Sequence, residues 1–380
     1  MATIPTVVAT VIIYNERSTI VPCLRSLIEQ RTSSPDINLT IRVLDNNSTD
    51  GGGELVAAEF GSQVELVRIN ENLGFAGGNN LGAKLFLEAG SDYLFLVNPD
   101  LSLAPGAISK LVQALETDSR AGSSTPKLLR ADPENELRLL HPATLDATGM
   151  YITPAIRHLD RGSNSLDTGQ YETPQYVFGG SGAALMLRRA FVQDVALEAA
   201  ACPPRHPLFD EAFFVYREDA ELAWRGQWLG WKCRYVPDAV GYHVRRVLPT
   251  RRAELPEALN RYSVRNRFLL QLNDLFGLGM IWIIPFATVR NLIVIAGVLL
   301  KEKSSIPAFK EVFNLFPRAL KIRRELSKRS RVSPWTMSRW FKFNTHVEPA
   351  LNNDTAKDPI RSVVVIIVNY NAGAHLLKCL

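Results

Sequence analysis

Four apolar runs in the first hundred residues each stop at a polar cluster, and this pattern constrains the fold most. Thr6–Ile13 ends at Tyr14-Asn15-Glu16, residues 39–44 end at Asp45, residues 64–69 end at Asn70, and Tyr93–Val97 ends at Asn98-Pro99-Asp100. Runs that are continuously apolar and β-branched, rather than alternating, predict strands buried on both faces of a parallel sheet. Helical periodicity lies between them. Ile20, Val21, Leu24, Leu27 and Ile28 fall on one face, with Ser18 as the expected cap, and a further helix is expected over residues 79–89. The β-α-β-α alternation predicts a doubly wound α/β sheet, in which ligands sit beyond the carboxyl ends of the strands. Tyr14, Asn15, Glu16, Asp45 and Asp100 all fall there.

The rest of the chain is less regular. Residues 101–117 read as a helix, 131–175 as loops and short strands, 220–229 as a helix closed by Gly230, and 232–236 as a strand leading to a Pro237-Asp238 turn. Of the 380 residues 46% are apolar and 21% charged, which excludes a disordered, collagenous or mucin-like chain. The four cysteines, Cys23, Cys202, Cys233 and Cys379, form no CxxC pair. That argues against a disulfide scaffold or a cysteine zinc site and for a reducing compartment. The N-terminal apolar run is strand-length with no basic stretch before it, so no signal peptide is expected.

Charge is concentrated in one place. Residues 301–342 hold twelve Lys/Arg against three Glu, whereas residues 1–300 are net acidic. A nucleic-acid binder would spread its basicity over a face of the fold, so no nucleic-acid partner is expected. The basic stretch follows an apolar one, residues 275–300, and the combination suggests an anionic membrane surface. Residues 275–300 are long enough to span a bilayer. However, Pro285 and Arg290 lie near their middle, and an arginine at the bilayer centre costs about 2.5–3.5 kcal/mol. An in-plane or re-entrant segment is therefore expected, with a span or a buried core helix as alternatives. Residues 346–361 read as a polar linker. Residues 362–380 then repeat residues 6–24 without gaps, Tyr14-Asn15 and Cys23-Leu24 recurring as Tyr370-Asn371 and Cys379-Leu380. The repeat suggests a tandem protein whose second domain begins at 362.

Several clusters carry possible chemistry. Asp45 at a strand end can accept hydrogen bonds from a nucleobase or ribose, although Asp45 to Gly51 would also make an Asx turn and helix cap. The glycines of Asn72-Leu73-Gly74-Phe75-Ala76-Gly77-Gly78-Asn79 would let backbone approach a phosphate ahead of a helix, or simply form a tight loop. Their spacing matches neither the dinucleotide fingerprint nor the P-loop. Asp100 can hold Mg²⁺ or Mn²⁺ against a diphosphate. Glu218-Asp219 can supply a general base for an acceptor hydroxyl, or cap a helix. His243, taken alone, is more often structural.

Taken in order, Tyr14-Asn15, Asp45-Asn46-Asn47-Ser48, the Asn72–79 string, Asn98-Pro99-Asp100, Glu218-Asp219 and Tyr242-His243 resemble the family 2 glycosyltransferases of GT-A fold, above all their rhamnosyltransferase-like bacterial branch. The resemblance covers about residues 5–330. It implies a GT-A domain over residues 1–260, followed by a helical membrane-associating segment over 261–345. It further implies that Tyr14, Asn15, Glu16, Asp45, Asn47, Gly74, Gly77, Gly78 and Asn79 bind the nucleotide. Asp100, His243 and Asn98 would hold a Mg²⁺ or Mn²⁺ ion. Asp219, or less favourably Glu218, would be the base of an inverting displacement. The implied donor is a dTDP- or UDP-sugar, with rhamnose suggested, and the implied acceptor is a glycan or lipid-linked glycan of a surface polysaccharide. The location implied is the cytoplasmic face of the inner membrane, by peripheral attachment.

Two departures from the family pattern stand out. Asn98 replaces the first acid of a DxD motif and brings no charge. The Q-x-x-R-W signature of processive members is missing, its letters scrambled in Trp224-Arg225-Gly226-Gln227-Trp228, which suggests transfer of one or a few sugars. Two rival readings stay open. A nucleotidyltransferase should carry a basic glycine-rich first loop, and Tyr14 to Arg17 has no glycine. A non-catalytic binding module is kept in play by Asn98.

Overall fold

The computed structural model describes residues 4–197, 207–245 and 256–350. Strands β1 (Thr6–Ile13), β2 (Asn38–Asp45), β3 (Glu65–Arg68) and β4 (Tyr93–Val97) pair in parallel, in the order β3-β2-β1-β4. Helices α1 (Ile20–Ser33), α2 (Gly52–Phe60) and α3 (Gly74–Glu88) are the crossovers. The chain continues through β5 (Leu101–Leu103), α4 (Ala107–Glu116), β6 (Ala121–Asp132) and the short strands β7 (Arg138–Leu139), β8 (Leu145–Ala147), β9 (Met150–Ile152), β10 (His158–Asp160) and β11 (Gln175–Val177). It then forms β12 (Ala184–Arg188), α5 (Arg189–Val195), α6 (Glu218–Trp228) and β13 (Lys232–His243). The last part is helical: α7 (Glu257–Asp274), a 3-10 turn (Leu278–Ile283), α8 (Ile284–Lys301), α9 (Pro307–Arg329) and α10 (Pro334–Ser338), before β14 (Glu348–Pro349). The main sheet runs β14-β11-β13-β6-β12-β4-β1-β2-β3, with β12 antiparallel to β4. This is the expected α/β sheet with a parallel centre.

The period of two along a strand explains the layering. Val7, Ala9, Val11 and Ile13 of β1 face a core shared with Leu24, Leu27, Ile108 and Leu111, whereas Val8 faces one shared with Phe86, Trp224, Trp228 and Leu269. That second core includes Met280, Ile283, Leu326, Trp340 and Phe341, so the helical part packs on the α/β sheet itself.

Local expectations differ from the structure at several points. The N-cap of α1 is Thr19 rather than Ser18, and no side chain caps it. Residues 101–117 divide into β5 and α4, because residues 101–103 pair with β13. The expected Pro237-Asp238 turn is an irregularity inside β13, between Val236 and Val240. Helix α3 begins at Gly74, five residues early, so most of the glycine-rich string is helix rather than loop. Its glycines serve close packing: a methyl group added at Gly78 would lie 3.0 Å from Ile12, and one at Gly82 2.6 Å from Thr10. Within the segment expected as linker, Glu348 and Pro349 pair with β11. The repeat at 362–380 lies outside the described residues.

Pro285 sits in the first turn of α8, where its missing N–H is harmless, rather than in a helix interior. Leu278–Lys301 is long and apolar enough to cross a membrane, and only 17% of its most apolar window is buried. That exposure is not the pattern of a core helix. The basic stretch is not uniformly a surface. Arg318 binds Asp210, Arg323 donates to the carbonyls of Gln271 and Leu272, Arg329 donates to that of Ala196, and Arg331 pairs with Asp194. Arg318, Arg329 and Arg331 thus clamp the helices to the sheet domain, and Arg323 braces α9 against α7.

Candidate active site

The first edge of the site is built from strand ends. Register places Ile13 beside Asp45 and Val11 beside Val97, so the loops after β1, β2 and β4 lie side by side. Asn15, with φ of 59°, ties the first two together: its N–H donates to Ser48 Oγ (3.2 Å), and its Oδ1 accepts from the Thr49 N–H (2.8 Å). Tyr14 is exposed beside it, and Glu16 accepts from the backbone at the start of α1. Asp45 is buried. Its Oδ1 accepts the Ser48 N–H (2.9 Å), and a methyl group added at Gly53, in the first turn of α2, would lie 2.0 Å from Oδ2. Asn46 fastens this loop to the start of α3 through Asn72, Leu73 and Gly74. Asn47 is exposed, with φ of 66°.

The glycine-rich string has other work. The Gly74 N–H donates to Asn72 Oδ1, Gly77 packs on Leu73, and Asn79 Nδ2 donates to the Phe75 carbonyl one turn back. At Gly74, φ is +70° and an added methyl group would meet Phe214 at 2.6 Å, so only glycine fits.

The strand after Asp100 pairs antiparallel with the end of β13, setting Leu101 opposite His243. His243 Nε2 thereby lies 3.3 Å from Asp100 Oδ1, and Nδ1 lies 2.8 Å from Asp146 Oδ2. Burial opposes a charge on His243, but hydrogen bonds to both carboxylates win and push its pKa up to about 10. Asp146 is likewise buried, and His243 and Arg245 hold its carboxyl below the usual range. Arg245 continues the chain to Asp160. A His whose far nitrogen is held by a carboxylate is a common metal-ligand arrangement. Asp100, together with His243 once an arriving ion displaces its Nε2 proton, could supply two ligands to a hard divalent ion, leaving further positions for diphosphate oxygens. Asn98 lies two residues earlier, its backbone N–H donating to the Ala183 carbonyl. Among the described residues no three His, Cys, Asp or Glu side chains converge as a metal cluster.

The second edge is acidic. Glu218 and Asp219 open α6 after an irregular loop in which Phe214, Tyr216 and Arg217 have φ of 62°, 70° and 72°. Bulky residues rarely adopt this region, and something must hold them there. Asn266 of α7 does so: it is fully buried, and its Nδ2 lies 2.8 Å from the carbonyl oxygens of Phe213, Val215 and Tyr216. Asp219 Oδ2 accepts the Gly182 N–H (3.2 Å), with Gly182 preceding β12. Burial raises the Asp219 pKa, against the hydrogen bond from Gly182. Burial and the Asp219 charge push Glu218 up to about 8, and its Oε2 has no hydrogen-bond partner among the described residues. Asp219, oriented by the Gly182 N–H, is the better placed of the two to act as a base.

Asp146, Asp160, Arg245 and Asn266 were not singled out in the sequence. Asp146 and Asp160 lie in three-residue strands of weak periodicity, Arg245 lies just past β13, and Asn266 sits in a helix whose pattern marks it only as polar.

The site thus joins acidic groups at the carboxyl edge of a centrally parallel sheet to a buried carboxylate pair at the start of α6. Comparisons with known proteins give its class. The family model for glycosyl transferase family 2 matches residues 9–194. An N-acetylglucosaminyl-diphospho-decaprenol L-rhamnosyltransferase of Mycobacterium tuberculosis is 25% identical over 232 residues, 58% of this chain and 72% of its own length. The crystal structure of GalNAc-T7 with UDP, GalNAc and Mn²⁺ superposes with a TM-score of 0.53 at 13% identity, covering 71% of this chain and 48% of that one. The chain thus spans about half the length of that structure, and the likeness there is one of fold. This protein carries a family 2 glycosyltransferase domain of GT-A fold, and glycosyl transfer is its class of activity.

Proposed function

We propose that the protein is an inverting, divalent-metal-dependent transferase. It moves a sugar, with rhamnose the leading candidate, from a dTDP- or UDP-type donor to a lipid-linked glycan at the cytoplasmic face of the membrane. The observation that carries this reading is Asp219: a raised, oriented carboxylate on the first turn of α6, held by the Gly182 N–H. It would take the proton of an acceptor hydroxyl as that oxygen bonds to the anomeric carbon and the carbon–oxygen bond to the diphosphate breaks. Tyr14, Asn15, Glu16, Asp45 and Asn47 would receive the nucleoside. Asp100 and His243, with Asn98 adjacent, would hold a Mg²⁺ or Mn²⁺ ion, which as a Lewis acid stabilises the leaving diphosphate. The relative in M. tuberculosis, named for a diphospho-decaprenol acceptor, supports the acceptor class. The exposed apolar face of α8 supports peripheral membrane attachment.

Calorimetric titration of dTDP, UDP and GDP into the full chain, with and without Mn²⁺, tests the donor half. Metal-dependent binding of one diphosphate is expected and names the donor class. No binding by folded protein would return the weight to a non-catalytic module.

A further inference from the structure

Helix α8 has two faces of different kinds. Ala287, Asn291, Val294 and Val298 recur at spacings of four, three and four residues, a single helical stripe. That stripe lies against protein. Ala287 joins the core beside the sheet, and Val294 and Val298 pack with Val264 and Phe268 of α7 and Ala308 and Phe309 of α9. In its middle Asn291 Nδ2 donates to Gln271 Oε1 (2.8 Å), and Asn291 Oδ1 accepts from Arg267 Nε (2.9 Å). Arg267 also donates to the carbonyls of Ala155 (2.9 Å) and Ile156 (3.1 Å), so the centre of α8 is tied through α7 to the sheet domain. Beside the stripe, α8 walls a cavity of about 840 Å³ that reaches Glu218 and Asp219 and is lined by Arg157, Arg217, Arg245, Arg267 and Arg290.

The opposite face is bare. Val289, Leu292, Leu299 and Leu300 are each at least half exposed, and the face they share with Pro285 and Ala296 holds no charged or polar side chain. An aromatic cluster extends it at the start of the helix. Trp282 and Phe286 meet edge to face (ring centroids 6.2 Å apart), as do Phe286 and Phe343 (5.2 Å), and all three are exposed. Cations stand at both ends: Lys342 next to Phe343, and Lys301, Lys303 and Lys310 from the point where α8 stops. The sole acid between residues 275 and 310 is Glu302, whose carboxylate accepts from the Ser305 hydroxyl. Such a strip does not suit a second copy of the chain, because a twofold contact would set cation against cation at both ends. It suits an anionic bilayer surface, where apolar and aromatic side chains enter beneath headgroups that the lysines pair with. Lipid cannot surround the helix while Asn291 holds α7 and Arg290 lines the cavity.

We propose that α8 lies flat in the surface of an anionic bilayer, half immersed. Val289, Leu292, Leu299 and Leu300 enter the acyl region, Trp282, Phe286 and Phe343 sit among the headgroups, and the flanking lysines bind headgroup phosphates. The inference rests on the proposed membrane attachment and adds the face, the orientation and the charge of the lipid. It sets the cavity, and with it Asp219, directly behind the immersed helix.

The test is co-sedimentation of the full chain with vesicles of phosphatidylcholine alone and of phosphatidylcholine mixed with phosphatidylglycerol. Binding to the anionic vesicles is expected to be at least about tenfold tighter. It should fall at least about tenfold in the double variant Leu292→Gln/Leu299→Gln. In Lys301→Gln/Lys303→Gln/Lys342→Gln the preference for anionic lipid should shrink. Leu166→Gln, which changes a similarly exposed leucine of the sheet domain, should alter nothing. An alkaline carbonate wash should release the bound chain, as it does a helix that enters one leaflet without crossing. Retention after that wash, equal binding to neutral vesicles, or undiminished binding in the leucine variant would each overturn the proposal. So would a dimer in solution that the leucine variant dissociates. Nucleoside-diphosphate titrations on the same proteins separate this inference from the proposed function. Folded protein that binds dTDP or UDP but no vesicle overturns the membrane face and leaves the transferase reading standing.

Discussion

The two edges of the site are built by opposite means. The proposed donor edge is assembled from loops that follow neighbouring parallel strands, fixed by the loop-to-loop contacts of Asn15 with Ser48 and Thr49 and by the local turn from Asp45 to Ser48. The acceptor edge is assembled from residues far apart in sequence, with Asn266 of α7 holding the carbonyls that aim Glu218 and Asp219. A donor edge of this kind should tolerate changes in the helical part. The acceptor edge should not, because its loop is strained and braced from outside.

The largest effect expected is on Asp219. Asp219→Asn should lower sugar transfer about 10²- to 10⁴-fold, the usual worth of a general base, while nucleoside-diphosphate affinity measured by calorimetry stays within about threefold. Retained transfer would remove Asp219 from the chemistry. The sharper probe of the comparison is Asn266→Ala. It strips hydrogen bonds from buried carbonyls, each unsatisfied group costing roughly 1–3 kcal/mol. We expect kcat to drop about tenfold or more at unchanged donor KM, with a lower Tm. A loss confined to donor KM would mean that the two edges are not independent.

On the donor edge, Gly53→Ala forces a methyl group onto Asp45. Nucleoside-diphosphate binding should weaken about tenfold with acceptor KM unmoved, and unaltered binding would release Asp45 from the nucleotide site. The smallest effect is one of stability. Glu218 has an ordinary value of 4.5 and a folded value of about 8, so its protonated form favours the fold. That contribution is complete in acid and is lost as pH rises from about 4.5 to about 8. Glu218→Gln cannot ionise, so its Tm relative to the wild type should climb by several degrees across that window. A pH-independent difference would show that Glu218 is not buried as a neutral acid.

Legibility in the sequence followed the same division. The strands β1 and β4 could be read residue for residue, since a strand buried on both faces leaves an uninterrupted apolar run. Asp45 and Asp100 stood out because each is a carboxylate at the end of such a strand, and Asp219 because it stands with Glu218 ahead of a helix. The glycine-rich string stood out too, and most of it forms the start of a helix packed on Ile12 and Thr10. Glycine signals close approach without saying to what. The basic stretch carried a charge sum but no directions, and three of its arginines, Arg318, Arg329 and Arg331, turn inward to the sheet domain.

The sequence by itself determined the parallel centre of the sheet, the carboxylates at its edge and the apolar-then-basic order of the C-terminal part. These follow from local periodicity, which depends on each side chain's own need to be buried or solvated. Tertiary structure alone decided that His243 meets Asp100 with Asp146 behind it, that Asn266 steadies the loop before α6, and that arginines from five separate segments line one cavity. Such meetings depend on strand pairing and helix packing between distant segments, which no local pattern records.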